Sequence, residues 1–94
     1  MKLPEFIPFG DCQTLSLRQI DRLNGLAKGS TFRLFKVHRQ QLLEGQDYVY
    51  LSAAEHGKLI EQLKARGQIY ASSVHLLLFT RRGYERLQAL AQPV

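Results

Sequence analysis

The chain has 94 residues, and its 45% hydrophobic content is enough for the core of one domain. The formal net charge is +5 at pH 7, which makes an anionic partner the first kind to consider. The single cysteine excludes an intrachain disulfide and a multi-cysteine zinc site, and no apolar run approaches the roughly 18 residues of a membrane-spanning helix. We therefore expect a protein of a reducing, cytoplasmic compartment that needs no metal or other cofactor.

The positive charge is concentrated in one stretch, residues 18–39. Six basic residues and one acid, Asp21, leave this stretch at +5, while the seven basic and seven acidic residues elsewhere cancel. A local excess of this kind predicts one surface that faces an anionic partner. The basic residues are Arg18, Arg22, Lys28, Arg33, Lys36 and Arg39.

Residues 1–13 are expected to form an N-terminal arm. Two prolines and Gly10 disfavour regular structure there, and Lys2 is its one basic residue. Apolar residues such as Phe6 and Phe9 allow the arm either to cover the core or to contact a partner or a second subunit. The domain itself is expected to span residues 14–90.

The first helix is predicted to begin after Ser16. Ser16 and Gln19 match a capping box, in which each side chain bonds the backbone N–H of the other residue. Asn24-Gly25 supplies residue types that tolerate positive φ and end helices. The expected buried stripe consists of Leu17, Ile20 and Leu23.

A short turn with two glycines leads to a second predicted helix, residues 29–43, with Ser30 as its cap. A helix, a glycine-containing turn and a basic helix together form the outline of a helix-turn-helix. The second of these helices is therefore the expected recognition helix.

This second helix is predicted to have two faces. Arg33, Lys36 and Gln40 point outward, where arginine and glutamine can bond base edges and lysine can hold phosphate. Phe32 and Arg39 lie at the edge of the outward face. The inward arc contains Thr31, Leu34, Phe35, His38 and Leu42.

After a polar turn at residues 44–47, Tyr48–Leu51 is predicted to be a short strand, because it consists of β-branched and aromatic residues. Ser52 then caps a third predicted helix, which runs to about Arg66 and stops at Gly67.

Residues 68–79 are expected to form a two-stranded hairpin, which beside a helix-turn-helix can serve as a wing. Thr80 caps a last helix, residues 81–90, in which Tyr84, Leu87 and Leu90 pack inward. The predicted fold is therefore an α+β winged helix-turn-helix with about four helices and a small antiparallel sheet or hairpin.

The sequence contains no recognisable catalytic arrangement. The motifs HExxH, GxGxxG and GxxxxGK[ST] are absent, and His38 on the inward arc is expected to be a hydrogen-bonded structural residue. We therefore expect no enzymatic activity. Tyr48, Tyr50 and Tyr70 offer rings on which single-stranded bases can stack, but packing is the commoner role. Because basic residues are not interleaved with these tyrosines, duplex DNA is the favoured partner.

Two short motifs extend this interpretation. Glu44-Gly45 and Tyr48 form an EG-x-x-Y turn before a strand, and Thr80 with Gly83 forms T-x-x-G at a helix start. Together with LSLRQIDRLNGLAKGS upstream, they resemble the N-terminal DNA-binding domains of phage antirepressor-type proteins, the KilA-N and Bro-N relatives, over about residues 14–90. The resemblance implies a bacterial or prophage regulator of duplex DNA, such as a small repressor or an excisionase-like factor. The family's frequent effector domain does not follow, which fits a stand-alone regulator or a fragment.

The expected DNA interface combines base and phosphate contacts, and a homodimer on paired half-sites is expected because small helix-turn-helix proteins often dimerise. The residues expected to face bases are Arg33, Lys36 and Gln40. The residues expected to contact phosphates are Arg18, Arg22, Lys28, Ser30 and Arg39.

Two alternatives remain open. The recognition helix can instead be the one at residues 53–66, with Lys58, Lys64 and Arg66 as contacts, although its net charge is only +1. The chain can also be a protein-interaction module, such as an antitoxin-like protein or a phage adaptor, that uses the apolar arm and the tyrosine-rich strands.

Overall fold

The computed structural model describes residues 6–91, and over this range the chain has the expected α+β class with four helices and four strands. The strands are β1 (Ile7–Phe9), β2 (Cys12–Ser16), β3 (Tyr48–Leu51) and β4 (Leu76–Thr80). The helices are α1 (Leu17–Leu23), α2 (Ser30–His38), α3 (Ala53–Ala65) and α4 (Arg81–Ala91). The strands form one antiparallel sheet in the order β1-β2-β4-β3.

Alternating side chains along β4 divide the core into two clusters on opposite faces of the sheet. Leu76 and Leu78 pack in one cluster with Ile60 and Leu63 of α3. Phe79 packs in the other, which joins the sheet to the remaining helices. The sheet is thus covered by α3 on one face and by three helices on the other. Those three helices contribute Ile20 of α1, Phe35 of α2 and Leu87 of α4.

Helix α1 begins and ends as predicted. Ser16 Oγ accepts a hydrogen bond from Gln19 N at 3.2 Å, and Gln19 Oε1 accepts one from Ser16 N at 2.9 Å. Asn24 is the C-cap, and Gly25 follows it with a φ of 65°. The expected stripe forms in part, with Ile20 buried, Leu17 half-buried and Leu23 exposed.

The N-terminal arm, expected to be irregular, contributes strands to the sheet. β1 and β2 form a hairpin in which Ile7 lies opposite Thr14. Pro8 is tolerated because β1 is an edge strand, where a missing N–H can face solvent. Ile7 is 1% exposed and packs in the same cluster as Leu78. The expected boundary between residues 13 and 14 therefore falls within β2.

The hairpin predicted for residues 68–79 is wrong. β4 is the one strand in this segment, and both of its edges are already paired, with β2 and with β3. The preceding residues therefore have no edge of β4 left to join. Instead, Gln68 O accepts a hydrogen bond from Ser16 Oγ at 2.5 Å, and Ile69 is buried in the core. Residues 68–75 of the expected wing therefore lie in the connection, residues 66–75, between α3 and β4, and residues 76–79 belong to β4.

Helix α2 is shorter than the predicted helix of residues 29–43. It ends at His38, and Arg39–Gln41 continues as a 3₁₀ turn. Ser30 is not its cap, because the N-cap is Gly29 with a φ of 89° and no side-chain bond of its own. His38 Nδ1 is buried without a hydrogen-bond partner among residues 6–91, so the expected hydrogen bond is not made at this atom. The inward arc is confirmed for the residues of α2, with Thr31 and Phe35 buried and Leu34 and His38 half-buried. Leu42 is also buried, but it follows the 3₁₀ turn and is not part of the helix.

The remaining helices follow their predicted signals. Ser52 Oγ accepts a hydrogen bond from Glu55 N at 3.4 Å at the start of α3, and Gly67 follows its end with a φ of 71°. Thr80 Oγ1 accepts a hydrogen bond from Gly83 N at 3.0 Å at the start of α4. The inward residues of α4 are Tyr84, Leu87 and Leu90, as expected.

The turn before β3 is tightly joined to the start of α4. Thr80 N donates to Asp47 O at 3.1 Å, and Thr80 Oγ1 donates to Gln46 O at 2.7 Å. A Cβ atom on Gly83 would overlap the Asp47 carbonyl group, so this approach of helix and turn requires glycine. Gly45 N donates to Tyr48 O within the same turn. The residues of the EG-x-x-Y and T-x-x-G motifs therefore meet at one junction.

The Asp47 carboxylate lies inside this junction. Its side chain is fully buried. It accepts a hydrogen bond from Leu43 N at 2.9 Å, and its oxygens each lie 3.5 Å from an arginine Nε, that of Arg82 or that of Arg86. The buried charge is thus paired, as such charges require.

Candidate nucleic-acid interface

Asp21 of α1 connects three parts of the chain beneath the basic surface, and it is 1% exposed. Its Oδ1 accepts hydrogen bonds from Thr31 N at 2.8 Å and Thr31 Oγ1 at 2.6 Å. Its Oδ2 accepts hydrogen bonds from Gly29 N at 3.1 Å and from the Tyr70 hydroxyl at 2.5 Å. The carboxylate therefore caps α2 in place of Ser30, because it bonds the free N–H groups at the start of that helix.

These contacts set the pKa values of Asp21 and Tyr70 in opposite directions. Burial acts to raise the pKa of Asp21, but the hydrogen bonds from Thr31, Tyr70 and Gly29 outweigh it and hold the pKa below its ordinary 3.8. Burial, followed by the hydrogen bond and the negative charge of Asp21, raises the pKa of Tyr70 to about 12. At neutral pH the pair is a carboxylate and a neutral phenol, and the negative charge is satisfied internally.

The basic residues of the 18–39 stretch consequently have no exposed acid among them. Ion pairs within residues 6–91 are formed by other arginines, namely Arg81, Arg82 and Arg86. Five of the six basic side chains in the stretch are exposed, and Arg18 is half-buried. The exposed ones are Arg22, Lys28, Arg33, Lys36 and Arg39.

The residues expected to face bases are all exposed, but they do not all share one helix. Arg33 and Lys36 lie on α2, whereas Gln40 lies in the 3₁₀ turn. The α-helical geometry that placed Gln40 on one face with Arg33 and Lys36 therefore does not apply to Gln40. Phe32 is 39% exposed, with its ring 6.4 Å from that of Phe35 and 4.7 Å from Lys36 Nζ. This position matches the predicted edge of the outward face.

A cleft of about 530 Å³ opens beside this surface, between α2, the sheet and the connection of residues 66–75. One phenylalanine and two tyrosines line it, one from each element: Phe32, Tyr50 and Tyr70. Leu17 and Leu77 add apolar surface. We refer to this feature as the aromatic cleft.

Basic side chains stand around the aromatic cleft. Lys28 lines it, with Nζ 5.1 Å from the centroid of the Tyr70 ring. The positive charges of Arg18 and Arg22 also act on the Tyr70 hydroxyl and partly offset the rise in its pKa. Lys36 reaches the region through its contact with Phe32. No pattern along the chain indicated this arrangement, because Tyr50 and Tyr70 are distant in sequence from every one of these cations.

The alternative recognition helix, α3, lies on the opposite face of the sheet from α2. Its exposed Lys58 stands on the same helix as the exposed acids Glu55 and Glu61, and Lys64 is half-buried. The surface of α3 is therefore mixed in charge, unlike that of α1 and α2.

Within residues 6–91 no three potential metal-ligating side chains cluster, and none of the helices there has the length and apolar character needed to cross a membrane. Comparison with protein-family models, curated proteins and solved structures gives no significant match.

Proposed function

We propose that the chain is a sequence-specific double-stranded DNA-binding protein, a transcriptional regulator of the phage, prophage or mobile-element type. The observation that supports this most strongly is the free positive charge of α1, α2 and the turn between them. The one acid of that stretch, Asp21, is buried and accepts four hydrogen bonds. A surface with this surplus attracts the DNA backbone independently of sequence. The resemblance of the two short motifs to antirepressor-type domains points to the same role.

In this proposal α1, the turn and α2 act as a helix-turn-helix, with α2 entering the major groove. Arg33 and Gln40 read base edges, and Lys36 reads a base edge or holds a phosphate, whereas the residues around them position the duplex. Two copies binding paired half-sites would complete the assembly. The phosphate contacts are Arg18, Arg22, Lys28, Ser30 and Arg39.

A second candidate is a protein-interaction module, and exposed apolar residues at the aromatic cleft favour it. Tyr50 is 48% exposed and Val74 65% exposed. Part of the surface first considered for this role is not accessible, because Ile7 of the arm is buried in the core. This candidate does not account for the local charge surplus, so we rank it second.

The salt dependence of duplex affinity tests the proposal. Each phosphate neutralised contributes about −0.9 to the slope of log affinity against log salt, so the four basic phosphate contacts alone predict a slope of about −3.6. The affinity for duplex DNA is measured by fluorescence anisotropy between about 50 and 200 mM salt. The affinity for heparin, an acidic polymer, is measured in the same way as a control.

Two results would count against the proposal. Absence of duplex binding at about 50 mM salt would leave the protein-interaction module as the better account, since charge interactions are weakly screened there. Equal affinity for duplex DNA and heparin would reduce the binding to a nonspecific attraction of charges. Affinity that also differs among duplexes of different sequence supports the proposed readout of bases.

A further inference from the structure

We propose that the aromatic cleft binds an unpaired nucleobase of DNA. The inference rests on the proposed DNA binding and extends it to a second contact on the same surface. In duplex binding the outward face of α2 reads paired bases, while the aromatic cleft takes a base that has left the stack. Enzymes and binding proteins hold such bases between aromatic or apolar side chains.

The rings of the aromatic cleft are accessible and at least one is held in place. Phe32 and Tyr50 are exposed by 39% and 48%, so part of each ring is free for a ligand. The Tyr70 ring is fixed at its hydroxyl by the hydrogen bond to buried Asp21. Rings supplied by a helix, a strand and a connection give a base several surfaces to stack on, and stacking of this kind does not depend on the base's identity.

The charge around the aromatic cleft selects a nucleotide over an uncharged apolar ligand. Lys28 lines the cleft, and none of the acidic side chains within residues 6–91 does. Arg18 and Arg22 act on Tyr70 electrostatically, and Lys36 lies over Phe32. The phosphates on either side of an extruded base would meet Lys28 in the cleft and Lys36 beside Phe32. A purely apolar segment of a protein partner would leave them without a role.

The start of α2 is not the phosphate site in this proposal. Asp21 already occupies the N–H groups of Gly29 and Thr31, which a phosphate would otherwise use. The phosphate contacts must therefore come from side chains at the rim, with Lys28 the nearest to the rings.

The test compares three duplexes of one sequence by fluorescence anisotropy: fully paired, with one unpaired adenine, and with one unpaired abasic residue in the same place. The abasic duplex has the same backbone distortion and lacks only the base. We expect the protein to bind the adenine bulge about fivefold or more tightly than the abasic bulge, the lower end of what one stacked base contributes.

Removing the rings should remove this preference. The double variant Phe32→Ala with Tyr50→Ala is expected to bind both bulged duplexes equally. Val37→Ala is the matched control, because Val37 is 75% exposed on α2 and does not line the aromatic cleft. Thermal unfolding checks that both variants fold. If the double variant does not fold, ring proton resonances of the unaltered protein supply the readout, since those of Tyr50 and Tyr70 should shift with the adenine bulge alone.

The outcomes separate this inference from the proposed function. Binding to all three duplexes without preference for adenine would overturn the inference and leave DNA binding intact. Preference for adenine without affinity for the paired duplex would support the inference and contradict the proposed function. Deoxyadenosine monophosphate and N-acetyltyrosinamide are added separately as small probes. A larger shift of the ring resonances with N-acetyltyrosinamide would assign the cleft to a protein's aromatic side chain and overturn the inference.

Discussion

At the scale of single residues, Asp21 determines how much of the positive charge on α1 and α2 remains free. An exposed aspartate at this position would pair with neighbouring arginines and lower the attraction for phosphate. In the fold its two oxygens are bonded by Thr31, Gly29 and Tyr70 instead. The same contacts cap α2 and attach the 66–75 connection to α1. The buried Asp21 carboxylate therefore stabilises the fold and also leaves the surface of α1 and α2 without an exposed acid.

A spectroscopic titration of the tyrosines tests the bond between Tyr70 and Asp21. Because burial and the carboxylate raise the pKa of Tyr70 to about 12 from 10.0, the protonated phenol stabilises the fold. That stabilisation is complete below pH 10 and is lost as the pH rises from 10 towards 12. Absorbance of the ionised phenol in the near ultraviolet should therefore show a step near pH 12 that Tyr70→Phe removes. A wild-type curve without that step would contradict the assigned contact.

The junction of α4 with the turn before β3 makes Gly83 the most restricted glycine of the chain. Gly83→Ala should lower the free energy of unfolding by about 1–3 kcal/mol or more, because its methyl group would overlap the Asp47 backbone. Gly57→Ala is the matched control: Gly57 is also in a helix, and apart from its chain neighbours and the nearby backbone of its own helix, no atom of residues 6–91 lies within 4 Å of the added Cβ. It should be neutral or stabilising by up to about 1 kcal/mol. Similar urea denaturation midpoints for the two variants would contradict this packing.

At the scale of elements, local chemistry predicted the helix starts well where the cap is close in sequence. Ser16, Ser52 and Thr80 each bond an N–H three residues ahead, a pattern that is readable along the chain. The cap of α2 was missed because it comes from Asp21, on another helix. The later strand of the hairpin predicted for residues 68–79 overlaps β4, but the partners of β4 were not predicted, because pairing depends on which strand edges the whole fold leaves free.

The strand β1 supplies the most direct prediction at this scale. Ile7→Ala should lower the free energy of unfolding by about 2–5 kcal/mol, because the side chain is buried in the cluster between the sheet and α3. Phe6→Ala, one residue earlier and 44% exposed, should change it by about 0.5 kcal/mol or less. Chemical denaturation of the two variants checks this. Equal, small effects would mean that the arm is not part of the folded core.

At the scale of the whole molecule, the sheet separates two surfaces of different charge. The face covered by α1, α2 and α4 carries the unbalanced cations, whereas α3 on the other face mixes acids and bases. The surplus was visible in the sequence because it is confined to residues 18–39. The aromatic cleft was not, because its rings come from three elements that only the tertiary structure brings together.

The central claim is that α2 is the helix that faces DNA, and the duplex DNA affinity of two charge-reversal variants tests it most directly. The affinity is measured at about 50 mM salt, where surface charges are weakly screened. Arg33→Glu with Lys36→Glu alters α2, and Lys58→Glu with Lys64→Glu makes the same change in charge on α3. The α2 pair should weaken binding by about tenfold or more, because removing a bond to a base or a phosphate lowers affinity, and the α3 pair should weaken it much less. An equal or larger effect of the α3 pair would contradict α2 as the DNA-facing helix.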